Sequence, residues 1–255
     1  MLLKNKIALV TGSSRGIGAA IAKEYAKHGA FVIINYLKNG TKADAVVEEI
    51  TANGGQAISM PCDVRDEKQV GQMLNDIFEN FGTIDIIVNN ALSQYRFDPK
   101  NRKMLNKLQW RDYQDQIDGS LKAILNVTQG ALAKLKTNNN SRIINITSNL
   151  VKSPAIPYHD YIVGKSAVLG LTRTMASELG AFGIQVNAIA PGLTYPTDSS
   201  KYTHRDIREE LIARTPTKRL TTPEDVAGSA IFLASNLSNN MTGQCLFVDG
   251  GLTMI

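Results

Sequence analysis

Seven short apolar runs, each closed by a polar or glycine turn, constrain this chain more than any other feature. They read "IALVTG", "AFVIIN", "QAISMPCDV", "IDIIVNNA", "RIINITS", "IQVNAIAPG" and "GQCLFVDGG". The runs are rich in β-branched residues and apolar on both faces rather than alternating, which predicts a parallel sheet covered on both sides. Helical patterns fill the gaps. Ile17, Ile21 and Tyr25 repeat at helical spacing until Gly29, and Val70, Met73, Leu74, Ile77, Phe78 and Phe81 do so before Gly82. Strands joined by helices in this order predict an α/β, Rossmann-type doubly wound parallel sheet of about seven strands, with helices on both faces. No linker or composition break interrupts residues 1–255, so one dinucleotide-binding and catalytic domain is expected.

Two segments break the rhythm. Residues 92–109, "LSQYRFDPKNRKMLNKLQ", follow the fourth run, and residues 193–222 follow the sixth. Both leave the carboxyl ends of strands, where open α/β sheets bind ligands, and the 193–222 segment is expected to be a substrate lid. The formal net charge of +5, from 28 basic and 23 acidic residues, suits a polyanion such as a dinucleotide or a phosphopantetheine thioester, and equally a well-solvated surface. No basic stripe interleaved with aromatics is present, which argues against nucleic acid. Cys62 and Cys245 are far apart and form no CxxC pair, so neither a metal site nor a disulfide framework is expected, and a reduced, cytoplasmic setting follows. Both read as small buried hydrophobes. The opening "MLLKNKIALV" is too short an apolar run for a signal peptide, and no stretch approaches a membrane span.

"VTGSSRGIG" follows the first strand and opens the first helix, with glycines at 12, 16 and 18. Bare backbone there lets a pyrophosphate come close at a helix N-terminus. Where an NAD-binding chain carries an acid at the end of its second strand, this one has Asn35, with no carboxylate before Asp44. Arg15, with Lys38 as a second cation, is placed to face a 2′-phosphate, which favours NADP(H) over NAD(H). In "PYHDYIVGK", Tyr161 and Lys165 are four apart and share a helix face. Alone, that pair is also what an ordinary amphipathic helix start would show. His159 beside it reads as a pocket-rim or packing residue.

Taken together, the TGxxxGIG string, Asn89-Asn90-Ala91, Ser148, the Tyr161–Lys165 pair and Pro191-Gly192 resemble the classical short-chain dehydrogenase/reductases in order and spacing. The ending "TGQCLFVDGG" is most similar to the 3-oxoacyl-(acyl carrier protein) reductase group of fatty-acid biosynthesis. The resemblance spans nearly the whole chain. It implies that Tyr161 gives a proton to a substrate carbonyl, that Lys165 lowers the phenol pKa and holds the nicotinamide ribose, and that Ser148 hydrogen-bonds the reacting oxygen. It further implies cofactor contacts at Gly12, Ser13, Ser14, Arg15, Ile17 and Gly18 around phosphates and ribose, and at Asp63 and Val64 beside adenine. Asn89 and Ala91 would border the adenosine ribose, and Pro191, Gly192 and Thr194 the carboxamide. A homotetramer is implied as well. Two departures stand out. "NNAL" puts Leu92 where the family has glycine. Counting back from "LNVTQGAL" puts Ser120 at the place of the family's fourth catalytic residue, an asparagine, with Asp118 or Asn126 there if the register slips. The implied activity is NADPH-dependent reduction of a ketone, on a 3-oxoacyl thioester. The alternatives are a sugar, steroid or other secondary alcohol, or an NADP-binding regulator without turnover.

Overall fold

In the computed structural model, which describes every residue except Gln94, Asn139 and Ile255, the seven runs form one parallel sheet in the order β3-β2-β1-β4-β5-β6-β7. The strands are β1 (Ile7–Val10), β2 (Phe31–Tyr36), β3 (Gln56–Pro61), β4 (Ile86–Asn89), β5 (Arg142–Ile146), β6 (Gln185–Pro191) and β7 (Cys245–Val248). Period-two geometry explains why the runs are apolar throughout. Ala8 and Val10 of β1 join Val32, Ile34, Ile86, Val88 and Ile144 on one face; Leu9 joins Ile33, Ile87 and Ile143 on the other. Helices α1 (Gly16–Lys27), α2 (Gly40–Ala52) and α8 (Pro223–Ala234) pack against the first face. Helices α3 (Glu67–Phe81), α5 (Ala123–Thr137) and α6 (His159–Leu179) cover the second. Gly82 ends α3 in the left-handed conformation at φ 74°, which explains why the periodicity stops there. Among the described residues no helix is long and apolar enough to cross a membrane.

The strand order reverses direction between β1 and β4, and the crevice at that switch point opens beyond the carboxyl ends of the strands. Both irregular segments border it. Residues 92–109 lead into α4 (Trp110–Ile117), while residues 193–222 contain α7 (Arg205–Arg214). Between α4 and α5 the helix widens into a π-helical turn, Asp118–Lys122. The cause is local. Ser93 wedges against Gly119, where a Cβ atom would land inside the serine side chain, and its hydroxyl donates to the Asp115 carbonyl at 3.0 Å. A helix interrupted by an inserted side chain takes up the strain as an extra residue in one turn.

Candidate active site

A cavity of about 750 Å³ runs along the switch point from the glycine loop to the 193–222 segment. At one end, residues 11–15 join β1 to α1 with Gly12 at φ 62°. A Cβ on Gly12 would stand 2.8 Å from the Ala91 Cα, so only glycine lets β4 and this loop approach so closely. Two asparagines lock the loop. Asn35 Oδ1 accepts from Gly12 N at 3.1 Å and its Nδ2 donates to the Cys62 carbonyl at 3.1 Å; Asn90 Nδ2 donates to the Thr11 and Gly12 carbonyls at 2.9 and 3.1 Å. No side chain caps the N-terminus of α1, which leaves its first-turn N–H groups for an anion. The bare cradle at Gly12 and this uncapped terminus fit a pyrophosphate. Arg15 and Lys42 converge on the carboxylate of Asp198, at 2.9 and 3.1 Å, and so mark a second anion position. Lys38, the second cation expected, also lines the cavity, and Lys42 joins Arg15 through the shared Asp198 carboxylate.

At the other end, β5 delivers Ser148 and α6 delivers Tyr161 and Lys165 to one cavity wall. Tyr161 is 6% exposed and Lys165 4%, so the amphipathic-surface reading of this pair does not hold. Lys165 Nζ donates to the Ile146 carbonyl at 2.8 Å, and Thr147 Oγ1 donates to the Lys165 carbonyl at 2.8 Å, which fixes α6 against the end of β5. Burial pushes the Tyr161 phenol up to about 12, partly offset by the Ser148 hydroxyl, and holds the Lys165 ammonium down at about 8. This corrects the expectation that Lys165 lowers the phenol pKa: desolvation dominates, and the ammonium is turned to a carbonyl.

Gly12, Ser14, Arg15, Ile17, Asn35, Asp63, Val64 and Ala91 line the cofactor end, and Pro191, Gly192 and Thr194 line the cavity from the end of β6. Asp63 is held ionised by a two-point contact with Arg65, at 2.9 and 2.7 Å. Four expected site residues do not reach the wall. Ser13 is buried, its hydroxyl donating to the Val10 carbonyl at 2.7 Å. Gly18 lies beneath the loop, where a Cβ would meet Asn90 and the Gly12 carbonyl. Asn89 points into the sheet interior, donating to Asn145 Oδ1 at 2.8 Å, and its neighbour Asn90 faces the cavity instead. Ser120 lies in the π-helical turn at 2% exposure, its hydroxyl without a hydrogen-bond partner among the described residues, and Gly119 is the turn residue that lines the cavity.

The cover over Tyr161 is harder to read from the sequence. The rings of Tyr95 and Phe97 stand 4.9 and 5.1 Å from that of Tyr161, and Tyr158 meets both edge-on at 5.7 Å. Tyr95 Oη donates to Asp160 at 3.1 Å. Phe97 is held to the 193–222 segment on both sides: its N–H donates to the Ser199 carbonyl at 3.1 Å and its carbonyl accepts from Thr203 Oγ1 at 2.8 Å. Four aromatic residues within two short stretches were the available signal, in a chain that is 6% aromatic. The same segments carry the positive charge. Residues 92–109 hold five basic residues against one acidic, and residues 193–222 six against four, so the chain outside them is close to neutral.

A bare phosphate cradle, an anion position beyond it, and a buried Ser–Tyr–Lys cluster on one cavity wall are the parts of a nicotinamide-dependent carbonyl site. A family model described as Enoyl-(Acyl carrier protein) reductase matches residues 12–253. The chain belongs to the short-chain dehydrogenase/reductase family. It is 35% identical over 250 residues to a 3-oxoacyl-(acyl carrier protein) reductase of Staphylococcus epidermidis, covering 98% of this chain and 100% of that one. It is also 35% identical over 254 residues to glucose 1-dehydrogenase 2 of Bacillus subtilis, covering 99% and 96%. Among solved structures it is similar to a short-chain dehydrogenase of Burkholderia cenocepacia in complex with NADP, with a TM-score of 0.88 and 33% identity over 99% of each chain. Short-chain dehydrogenase/reductases are oxidoreductases, and relatives of comparable identity act on different alcohols and ketones. Family membership alone therefore leaves the substrate open.

Proposed function

We propose that this short-chain dehydrogenase/reductase reduces a 3-oxoacyl thioester to its 3-hydroxy product with NADPH. One observation carries the choice of substrate: the cavity that holds Tyr161 is walled by Leu150, Ile156, Leu193, Leu211 and Leu252 together with the ring of Phe97. An acyl chain gains from such a wall, whereas a sugar would leave several hydroxyls without partners, at about 1–3 kcal/mol each. The basic segments around the cavity suit an anionic carrier such as phosphopantetheine. Arg15 and Lys42, with no carboxylate at the end of β2, favour NADPH over NADH.

NADPH bound along the cleft supplies the hydride. Tyr161, protonated throughout the neutral range, donates its phenolic proton to the carbonyl oxygen, while Ser148 donates a hydrogen bond to the same atom and stabilises its developing charge. Lys165, held near 8 by burial on the same helix, returns a proton to the phenolate and also binds the nicotinamide ribose. Ser120, buried and with no hydroxyl partner among the described residues, is assigned to hold a water that resupplies Lys165. The residue 193–222 segment acts as the lid, and the working assembly is a homotetramer, to be checked by light scattering.

The test is a substrate panel with NADPH and with NADH, read by absorbance of the reduced nicotinamide. Rapid reduction of a 3-oxoacyl thioester by NADPH is expected. Oxidation of glucose with no turnover of any thioester would replace this substrate, and no turnover of any carbonyl or alcohol would favour a binding protein.

A further inference from the structure

Two cations, Arg15 on the cavity wall and Lys42 of α2, converge on a single atom of Asp198, which also lines the cavity. Arg15 Nη1 and Lys42 Nζ lie 2.9 and 3.1 Å from the same oxygen of Asp198. The three residues come from separate parts of the fold: the glycine loop, the first turn of α2 and the 193–222 segment. Two cations held around one point suit the two negative charges of a phosphate monoester, and a carboxylate is the nearest side-chain equivalent of that group. The carboxyl of Asp198 is correspondingly held below its ordinary pKa, with Lys42 the largest cause.

We infer that Asp198 is a cofactor-specificity residue: it stands in for the 2′-phosphate of NADP(H) and yields Arg15 and Lys42 to that phosphate when the cofactor binds. This rests on the NADPH reading above and goes beyond it by naming what the phosphate displaces. NADH leaves the three-residue cluster intact and gains nothing from either cation. NADPH must compete with an anion already on the chain, so it binds less tightly than two free cations would allow. The displacement also reaches the chemistry. Asp198 precedes Ser199, whose carbonyl is bonded to Phe97 N at 3.1 Å, and Phe97 covers Tyr161. The 2′-phosphate and the aromatic cover thus act on opposite ends of one short segment.

The side chains involved are 40–54% exposed, so each ion pair is weak and the expected effect is modest. Calorimetric titration with adenosine 2′,5′-bisphosphate and with ADP tests it without turnover. Asp198→Asn should tighten the bisphosphate roughly two- to tenfold and change ADP less than about twofold. Asp198→Ser should do the same, and neither change should help once Arg15→Ala and Lys42→Ala are both present. Unchanged or weaker bisphosphate binding in Asp198→Asn, or an equal gain for both ligands, overturns the assignment. A wild-type protein with no preference for the bisphosphate over ADP would instead overturn the NADPH reading, and this inference with it.

Discussion

At the cofactor end of the cavity, Asn35 and Asn90 hold the glycine loop through side-chain amides bonded to the backbone of Thr11 and Gly12, with Asn35 also tied to the Cys62 carbonyl just beyond β3. At the substrate end, Tyr95 and Phe97 rest on Tyr161 by ring contacts, tied down by loop-to-loop hydrogen bonds and one phenol–carboxylate contact. The buried Asn35 amide is costly to release, because its loss leaves donors and acceptors unpaired, and the half-buried Asn90 adds two bonds to loop carbonyls. Ring contacts can slide, and hydrogen bonds between partly exposed loops can be exchanged for water. The first end is a preformed mould for a ligand of fixed shape; the second can rearrange around ligands that vary. That contrast matches a family whose members share a cofactor class and differ in substrate.

The largest expected effect lies at the substrate end, beneath the aromatic cover. Tyr161→Phe removes the proposed proton donor while keeping the ring, and should lower turnover by roughly 10³ or more with NADPH affinity unchanged. Substantial activity in that variant on a verified substrate would remove Tyr161 from the chemistry. Asn35→Ala strikes the rigid end. It leaves the Gly12 N–H and the Cys62 carbonyl unpaired, and should cost about 1–3 kcal/mol of stability together with weaker NADPH binding, measurable by denaturant titration and calorimetry. If only stability fell and cofactor affinity held, the loop would be less dependent on its anchors than the contrast requires.

Lys165→Met should separate function from stability. Burial depresses the folded-state pKa of Lys165 to about 8 from an ordinary 10.5, so its charged form is penalised by folding at neutral pH. The unfolded chain therefore holds the proton more tightly, and the penalty is fully present below pH 8 and fades as pH rises from about 8 towards 10.5. The variant should lose turnover yet gain on the order of 1–3 kcal/mol at pH 7, a gain that shrinks in melts at pH 9 and 10. A destabilised variant at pH 7 would mean that the bond to the Ile146 carbonyl outweighs desolvation.

Phe97→Ala probes the adaptable end. It should reduce kcat/KM on a long-chain thioester about tenfold, with a smaller loss on a short-chain one and no change in NADPH affinity, since an apolar contact and not a reacting group is lost. Equal losses across chain lengths would make Phe97 a support for Tyr161 rather than a wall for substrate. Ser120→Ala is expected to have the smallest effect, a fall in turnover of roughly tenfold or less, because another water can take the place of the one it holds. A loss as large as that of Tyr161→Phe in a folded protein would place Ser120 in the chemistry itself.

The sheet was legible because strands covered on both faces must be apolar throughout, and each of the seven runs became a strand. The stop at Gly82 was legible because a left-handed residue favours glycine. Failures came where neighbours distant in sequence decide the outcome. Asn89 and Asn90 are adjacent and chemically identical, yet strand alternation turns the first to Asn145 and leaves the second for the loop. Lys42 belongs to no motif and was missed because α2 brings its first turn beside Arg15 only in three dimensions. The phenol's environment was misjudged because Lys165 sits at the right spacing but bonds to β5, which no one-dimensional pattern records.

Gly119 carries a consequence for anyone recombining members of this family. Ser93, the second residue of the 92–109 loop, occupies the space where a side chain at 119 would be, and the widened helical turn accommodates that intrusion. Loop and helix are therefore one cassette. Transplanted alone into a scaffold with any larger residue at the matching place, the loop would be pushed off its seat and the aromatic cover displaced from Tyr161. A graft would have to carry residues 92–122 as a unit.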